Sequence, residues 1–132
     1  MGCLLGGIMA FTIATANKIL DKILRNVDFT PSAALYISLH TADPGESGTS
    51  EVTGGTYGRQ VCTFNAAAAK SSANAGVLNF TLMPIATVTH FGVWSAASAG
   101  TFWWGGVINP NKTTAAGDTL QVAAGALTTP LT

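Results

Sequence analysis

His40, Asp43, Glu46 and Ser47 fall within eight positions of one another in LYISLHTADPGESG, residues 35–48. A carboxylate that orients an imidazole, beside a serine hydroxyl, is the material of nucleophilic hydrolysis. That chemistry needs the nucleophile held on a strained turn. The chain lacks Gly-x-Ser-x-Gly, and Ser47 sits in a loop. Asp43 precedes Pro44, a pairing that favours an Asx-turn onto the carboxylate's own following amides. The stretch therefore reads as a strand running into a turn, with His40 and Asp43 as structural polar residues and no catalytic residue.

The other chemistry-bearing residues lead the same way. A metal would need three or four convergent ligands. His40, His90 and Asp118 are a minimal set, but they lie in distant segments without ligand spacing, so no metal is expected. His90, inside VTHFGVW, reads as a hydrogen-bonded structural histidine, and Asp118 as a structural polar residue. GGTYGRQ and FWWGG are glycine-rich, but neither has the Lys-Ser/Thr ending of a phosphate loop, and no cofactor is expected. Arg59 should pair with Glu51 or bond carbonyls at a sheet edge. Cys3 and Cys62 cannot make a disulfide framework, and Cys62 reads as a small buried hydrophobe.

Of the 132 residues, 48% are hydrophobic and only 9% are charged, against about 25% charged in ordinary domains. A surface so poor in charge does little to oppose self-association, so a homo-oligomer or larger assembly is expected. Six basic residues balance six acidic ones, which is not the footprint of a nucleic-acid binder. No run approaches the ~18 apolar residues of a membrane span. MGCLLGGIMAF lacks the basic flank of a signal peptide, and Gly6 stands where myristoylation wants Ser or Thr. Either Met1 or Met9 could be the native start.

The elements follow from periodicity. In TIATANKILDKILRNVD, residues Ile19, Leu20, Ile23, Leu24 and Val27 repeat at the spacing of one helix face. Thr12 or Thr15 can cap its start, and Pro31 keeps its end before DFTP. Such a helix must dock on a sheet or on a neighbouring subunit. After Pro31 the period becomes two, giving a half-buried strand over residues 34–41. Further strands are expected over 56–64, 77–83, 86–96, 101–110, 118–124 and 125–131, the fifth stopped by Pro110. NAAAAKSSANAG reads as a loop, or as a helical turn in its Ala run. The expected fold is mainly β: an antiparallel sandwich or barrel of about seven short strands with one N-terminal amphipathic helix. Residues 1–30 form an arm and helix and 31–132 a β-domain, within one compact domain.

In TFWWGG, strict alternation puts Phe102 and Trp104 on one face and Trp103 on the other. A tryptophan on the second face must be covered or lie at an interface. The candidate interface residues are Met9, Phe11, Ile13, Ile19, Leu20, Ile23, Leu24 and Trp103. If instead the surface binds a glycan, Trp103, Tyr57 and His90 are the contacts. An exposed aromatic beside polar groups would favour the glycan, and a buried one would favour packing.

Three stretches, LYISLHTADPGESGTSEVTGGTYGRQVCTF, ATVTHFGVWSAASAGTFWWGGVI and NKTTAAGDTLQVAAGALTTPL, with NKILDKIL in front of them, together resemble a family of small tailed-phage proteins. Its members carry tail-fibre or minor tail protein labels. The shared order is a short helix, Leu-Tyr with a Thr-Ala-Asp-Pro-Gly turn, Glu-Val-x-Gly-Gly-x-Tyr-x-Arg, Val-Thr-His-Phe-Gly, and Lys-Thr with Ala-Gly-Asp-Thr. It spans roughly residues 12 to 131. The first eight residues and the double Trp depart from the pattern. The resemblance implies a non-enzymatic structural virion protein whose partners are the major capsid protein or tail proteins. With no shaft in the chain, the favoured expectation is a capsid decoration (cement) protein on the capsid surface. The alternative is a tail-fibre or minor tail protein that contacts the host surface or a glycan.

Overall fold

The structure, a computed structural model, describes residues 9–131, and for Met9 and Ala10 only the backbone. Cys3 and the acylation question therefore lie outside the described residues, as does the Met9 side chain as an interface candidate. The described chain is mainly β, with nine strands and one helix. In order these are β1 (Met9–Phe11), α1 (Ile13–Arg25), β2 (Leu35–His40), β3 (Gln60–Cys62), β4 (Ser71–Ala73), β5 (Leu78–Met83), β6 (Ala86–Trp94), β7 (Phe102–Thr114), β8 (Asp118–Val122) and β9 (Thr128–Pro130). Seven strands match the periodic segments; β1 and β4 are the additions.

The main sheet is antiparallel and runs β1-β7-β6-β2-β3. Two ribbons, β4-β9 and β5-β8, complete the β-structure. The core lies between one face of the main sheet and the β5-β8 ribbon. Ile37, Leu39, Phe91, Val93 and Ile108 come from the sheet, and Leu78, Phe80, Leu120 and Val122 from the ribbon. Alternation explains this face, because β5 and β8 point every second residue inward.

The expected half-buried strand is buried on both faces: Ile37, Ser38, Leu39 and His40 are all enclosed. The second face is covered by residues 41–52, whose backbone returns to the strand through Val52 N–H to Leu39 O at 2.9 Å. The fifth strand does not stop at Pro110. β7 continues to Thr114 because residues 108–111 bulge between the pairs His90↔Val107 and Val88↔Lys112. A bulge tolerates a residue that has no N–H to donate.

A second, single-residue bulge decides the aromatic pattern. Val93 pairs with Trp104 but Trp94 pairs with Phe102, leaving Trp103 as the extra residue. The bulge overturns the expected division. Phe102 packs on Trp94 on the outer face, while Trp103 and Trp104 both pack against the core side.

α1 starts at Thr12, whose Oγ1 accepts from Thr15 N–H at 3.1 Å. It ends at Asn26, which takes a left-handed conformation (φ 54°), with Val27 N–H closing back onto Asp21 O at 3.2 Å. Lys22 and Arg25 in the last turn suit the negative end of the helix dipole.

Candidate functional site

Two regions concentrate the side chains that could act on something outside the chain. The first is a polar wall on the outer face of the main sheet, built from the strands β2 and β6 and the loops around them. Trp94 Nε1–H donates to Ser38 Oγ at 2.8 Å. Ser38 Oγ lies 2.6 Å from His40 Nε2, and His40 Nδ1 lies 2.7 Å from Thr49 O. A carbonyl can only accept, so Nδ1 carries the proton and Nε2 accepts from the serine hydroxyl. Burial keeps the imidazole's pKa below its ordinary value, despite the opposing carbonyl bond and the Glu51 charge.

Ser38 and His40 thus have the contact of a nucleophile with its base. Both are fully enclosed, however, and the serine oxygen already accepts from the Trp94 indole. Asp43 is not the orienting carboxylate: its Oδ1 accepts from Gly45 N–H at 2.9 Å, closing the Asx-turn. Glu46, in the same turn, reaches across to accept Ile13 N–H at 2.8 Å at the positive end of α1. The turn is therefore a clamp on the helix start.

Arg59 extends the wall. Its Nε and one terminal nitrogen hold Glu51 in a fork at 3.0 and 2.8 Å. The other terminal nitrogen donates to Ala96 O and Ala99 O at 3.1 and 2.8 Å, and the guanidinium lies 3.7 Å from the Trp94 ring centre. Tyr57 accepts from Leu39 N–H at 2.9 Å and donates to Glu51 at 3.0 Å. Its burial, first of all, raises its pKa. Burial also pushes the Cys62 thiol up to about 11, which keeps it protonated at neutral pH.

The remaining sequence candidates are scattered. His90 bonds Thr89 Oγ1 at 2.8 Å and lines a recess of about 240 Å³ with Asp43, Pro44 and Val107. Asp118 Oδ2 accepts Ala115 N–H at 2.8 Å in a turn. Among the described residues no group of His, Cys, Asp and Glu could hold a metal ion, and no helix is long and apolar enough to cross a membrane. Trp103, Tyr57 and His90 do not converge: Trp103 lies in an apolar groove, Tyr57 stacks on Phe80, and His90 lies in the recess.

The second region is the apolar face around α1. Thr12 and Thr15 are buried against β7, Thr12 Oγ1 reaching Trp103 O at 3.2 Å. Ile19 is half-buried, and the outer part of the stripe is bare: Ile13 is 67% exposed, Leu20 52%, Ile23 73% and Leu24 74%. Beside it runs a groove of about 370 Å³ walled by Phe11, Ile19, Phe29, Leu35, Trp103 and Trp104, with Thr15 and Thr129 as its polar lining. Phe11 meets Trp104 edge-on at 5.4 Å, and Phe29 meets Trp103 at 5.9 Å. Both indole N–H groups are buried without an acceptor among the described residues.

This arrangement offers packing surface, and Ser38 and His40 are sealed inside. The family model described as podophage GP4 fiber I protein gp80 matches residues 10–130. The chain belongs to that family. The match covers the residues of the polar wall and the whole of α1. It makes the chain a phage structural protein of fibre type, located in the virion. The expectation of a capsid decoration protein finds no support in it, and the tail-fibre alternative fits the fibre family better. Among curated proteins no match to the chain is found.

Sequence reasoning missed Ser38 and Asn74. Asn74 is fully buried and ties three loop groups together: Gly76 O at 2.7 Å, Ala123 O at 3.0 Å and Leu127 N–H at 2.9 Å. No periodic signal marks it, since it lies in an Ala- and Ser-rich segment. Ser38 shares the face of His40 two positions on, a spacing that the β-period makes visible.

Proposed function

We propose that the chain is a non-enzymatic component of the phage tail fibre, working by protein–protein contact through the apolar face around α1. The observation that carries this is the bare stripe of Ile13, Leu20, Ile23 and Leu24 on a capped, well-formed helix. Isolated soluble domains rarely leave so continuous an apolar surface uncovered. The fibre family supplies the setting. The sealing of Ser38 and His40 supports the non-enzymatic reading, since a substrate would have to displace the wall to reach them. Direct glycan contact by Trp103 has less support, because that ring is buried.

Mass spectrometry of heads and tails separated from purified particles tests this reading. The chain is expected in the tail fraction in few copies per particle. Many copies in the head fraction would return the role to capsid decoration, and absence from both would overturn a virion role.

A further inference from the structure

Asp43 and His90 each use one polar atom on structure and leave the other unused. Asp43 Oδ1 accepts Gly45 N–H at 2.9 Å, and His90 Nδ1 lies 2.8 Å from Thr89 Oγ1. The second carboxylate oxygen and the imidazole Nε2 have no hydrogen-bond partner among the described residues. Both residues line the recess of about 240 Å³, together with Pro44 and Val107. Across β6 and β7, His90 pairs with Val107 and Gly92 with Gly105, which puts the recess on the outer face of the main sheet. Its floor is the bare backbone of Gly105 and Gly106. Gly105 also seats the Asp43 turn: a Cβ there would stand 2.7 Å from Pro44 Cγ. The absence of that Cβ lets the turn close down beside His90.

The lining selects among ligand chemistries. Among the described residues in it there is no Lys or Arg, so an anion would meet the Asp43 carboxylate without a counter-charge. A wholly apolar group would strip water from that carboxylate and return no hydrogen bond. A cation would find one carboxylate and, on the other side, an imidazole that repels it once protonated. A neutral ring that carries hydroxyls on its edge and C–H groups on its face meets every part of the lining. We infer that this recess binds a single neutral pyranose unit of a saccharide. The free Asp43 oxygen accepts from one ring hydroxyl, a charge-assisted bond, and His90 Nε2 bonds a second. Pro44 and Val107 take the C–H face, and the glycine floor lets the ring approach the backbone. The Asx-turn and the Thr89 bond fix both polar groups beforehand, which lowers the cost of ordering them on binding. With two polar groups the affinity is weak, in the millimolar range. The inference goes beyond the tail-fibre reading and uses no part of α1.

The test titrates the full chain, labelled with nitrogen-15, with the methyl glycosides of glucose, galactose, mannose, rhamnose and N-acetylglucosamine. Methylammonium and inorganic phosphate serve as the competing chemistries. At least one glycoside is expected to move the Gly45, Gly105, Gly106 and Val107 amide signals to saturation. The Trp94 indole signal, bonded to Ser38 in the wall, should stay in place. Asp43→Asn keeps an oxygen for Gly45 N–H and removes the charge, so the turn survives while binding weakens at least about tenfold. His90→Ala should weaken it as much. An unmoved Trp94 signal in each variant shows that the fold is intact. Recess signals that stay still with every glycoside overturn the inference. So does binding that survives either substitution at full strength, or a recess that answers only to methylammonium or phosphate. None of these readouts depends on where the chain sits in the particle, so the inference can fail while the tail-fibre reading stands, and the reverse.

Discussion

The polar wall and the face around α1 spend their polar groups in opposite ways. In the wall every named donor meets an acceptor: Trp94 on Ser38, Ser38 on His40, His40 on Thr49, Arg59 on Glu51 and two carbonyls. Around α1, two buried indole donors have no acceptor among the described residues and four large apolar side chains stand in solvent. A finished network stabilises and positions the strands that carry it. On the proposed reading, the residues that resemble enzyme chemistry are the framework, and the exposed apolar residues of α1 are the working surface.

Substitutions can break this contrast. The largest loss is expected from Arg59→Met, which leaves Glu51 without its fork and strands the Ala96 and Ala99 carbonyls. Breaking a pair whose arginine is only 9% exposed should cost about 3 kcal/mol, seen as a fall in Tm of roughly 10 °C. Ser38→Ala comes next. It removes the acceptor of Trp94 and the donor to His40, two buried groups at once, for about 2 kcal/mol by denaturant unfolding.

Acid should act on the same network. His40 must stay neutral to accept from Ser38, and burial depresses its folded pKa below the ordinary 6.5. The unfolded chain then takes up a proton that the folded chain refuses. The stability from this group is complete above pH ~6.5 and falls as pH drops toward the folded value, by at most about 1.4 kcal/mol per pH unit. His40→Gln should flatten that part of the pH–stability curve. A curve equally steep in the variant would remove His40 from the explanation.

The smallest effect belongs to the other region. Leu24→Lys in the dilute chain should change unfolding stability by no more than about 0.5 kcal/mol, because the side chain is 74% exposed. A loss as large as that of Ser38→Ala would mean that α1 is part of the framework, and the contrast would collapse.

Much of the fold is legible in the residues, and the illegible parts have a common cause. Period two places β2, β5, β6 and β8, and period 3.6 places α1 with Thr12 at its start. Proline misleads at Pro110, where a bulge lets β7 pass. Alternation misleads at Trp103, because one extra residue turns both tryptophans to the same side, and a bulge leaves no period to read. The stripe on α1 is visible in sequence, but which edge of it meets the sheet is decided by Thr12 reaching Trp103 O, ninety-one residues away. The Asp43 turn is legible because its partners are local, and the Ser38–His40 bond is legible only once both strand faces are known to be buried.

The central claim is that α1 is the surface the chain uses in the virion. Hydroxyl-radical labelling of purified particles and of the dilute free chain, read out by mass spectrometry, tests it directly. Ile13, Leu20, Ile23 and Leu24 should be labelled freely in the free chain and protected in the particle, while Ser38 and His40 stay protected in both. Equal labelling of α1 in the particle and in the free chain would contradict the claim.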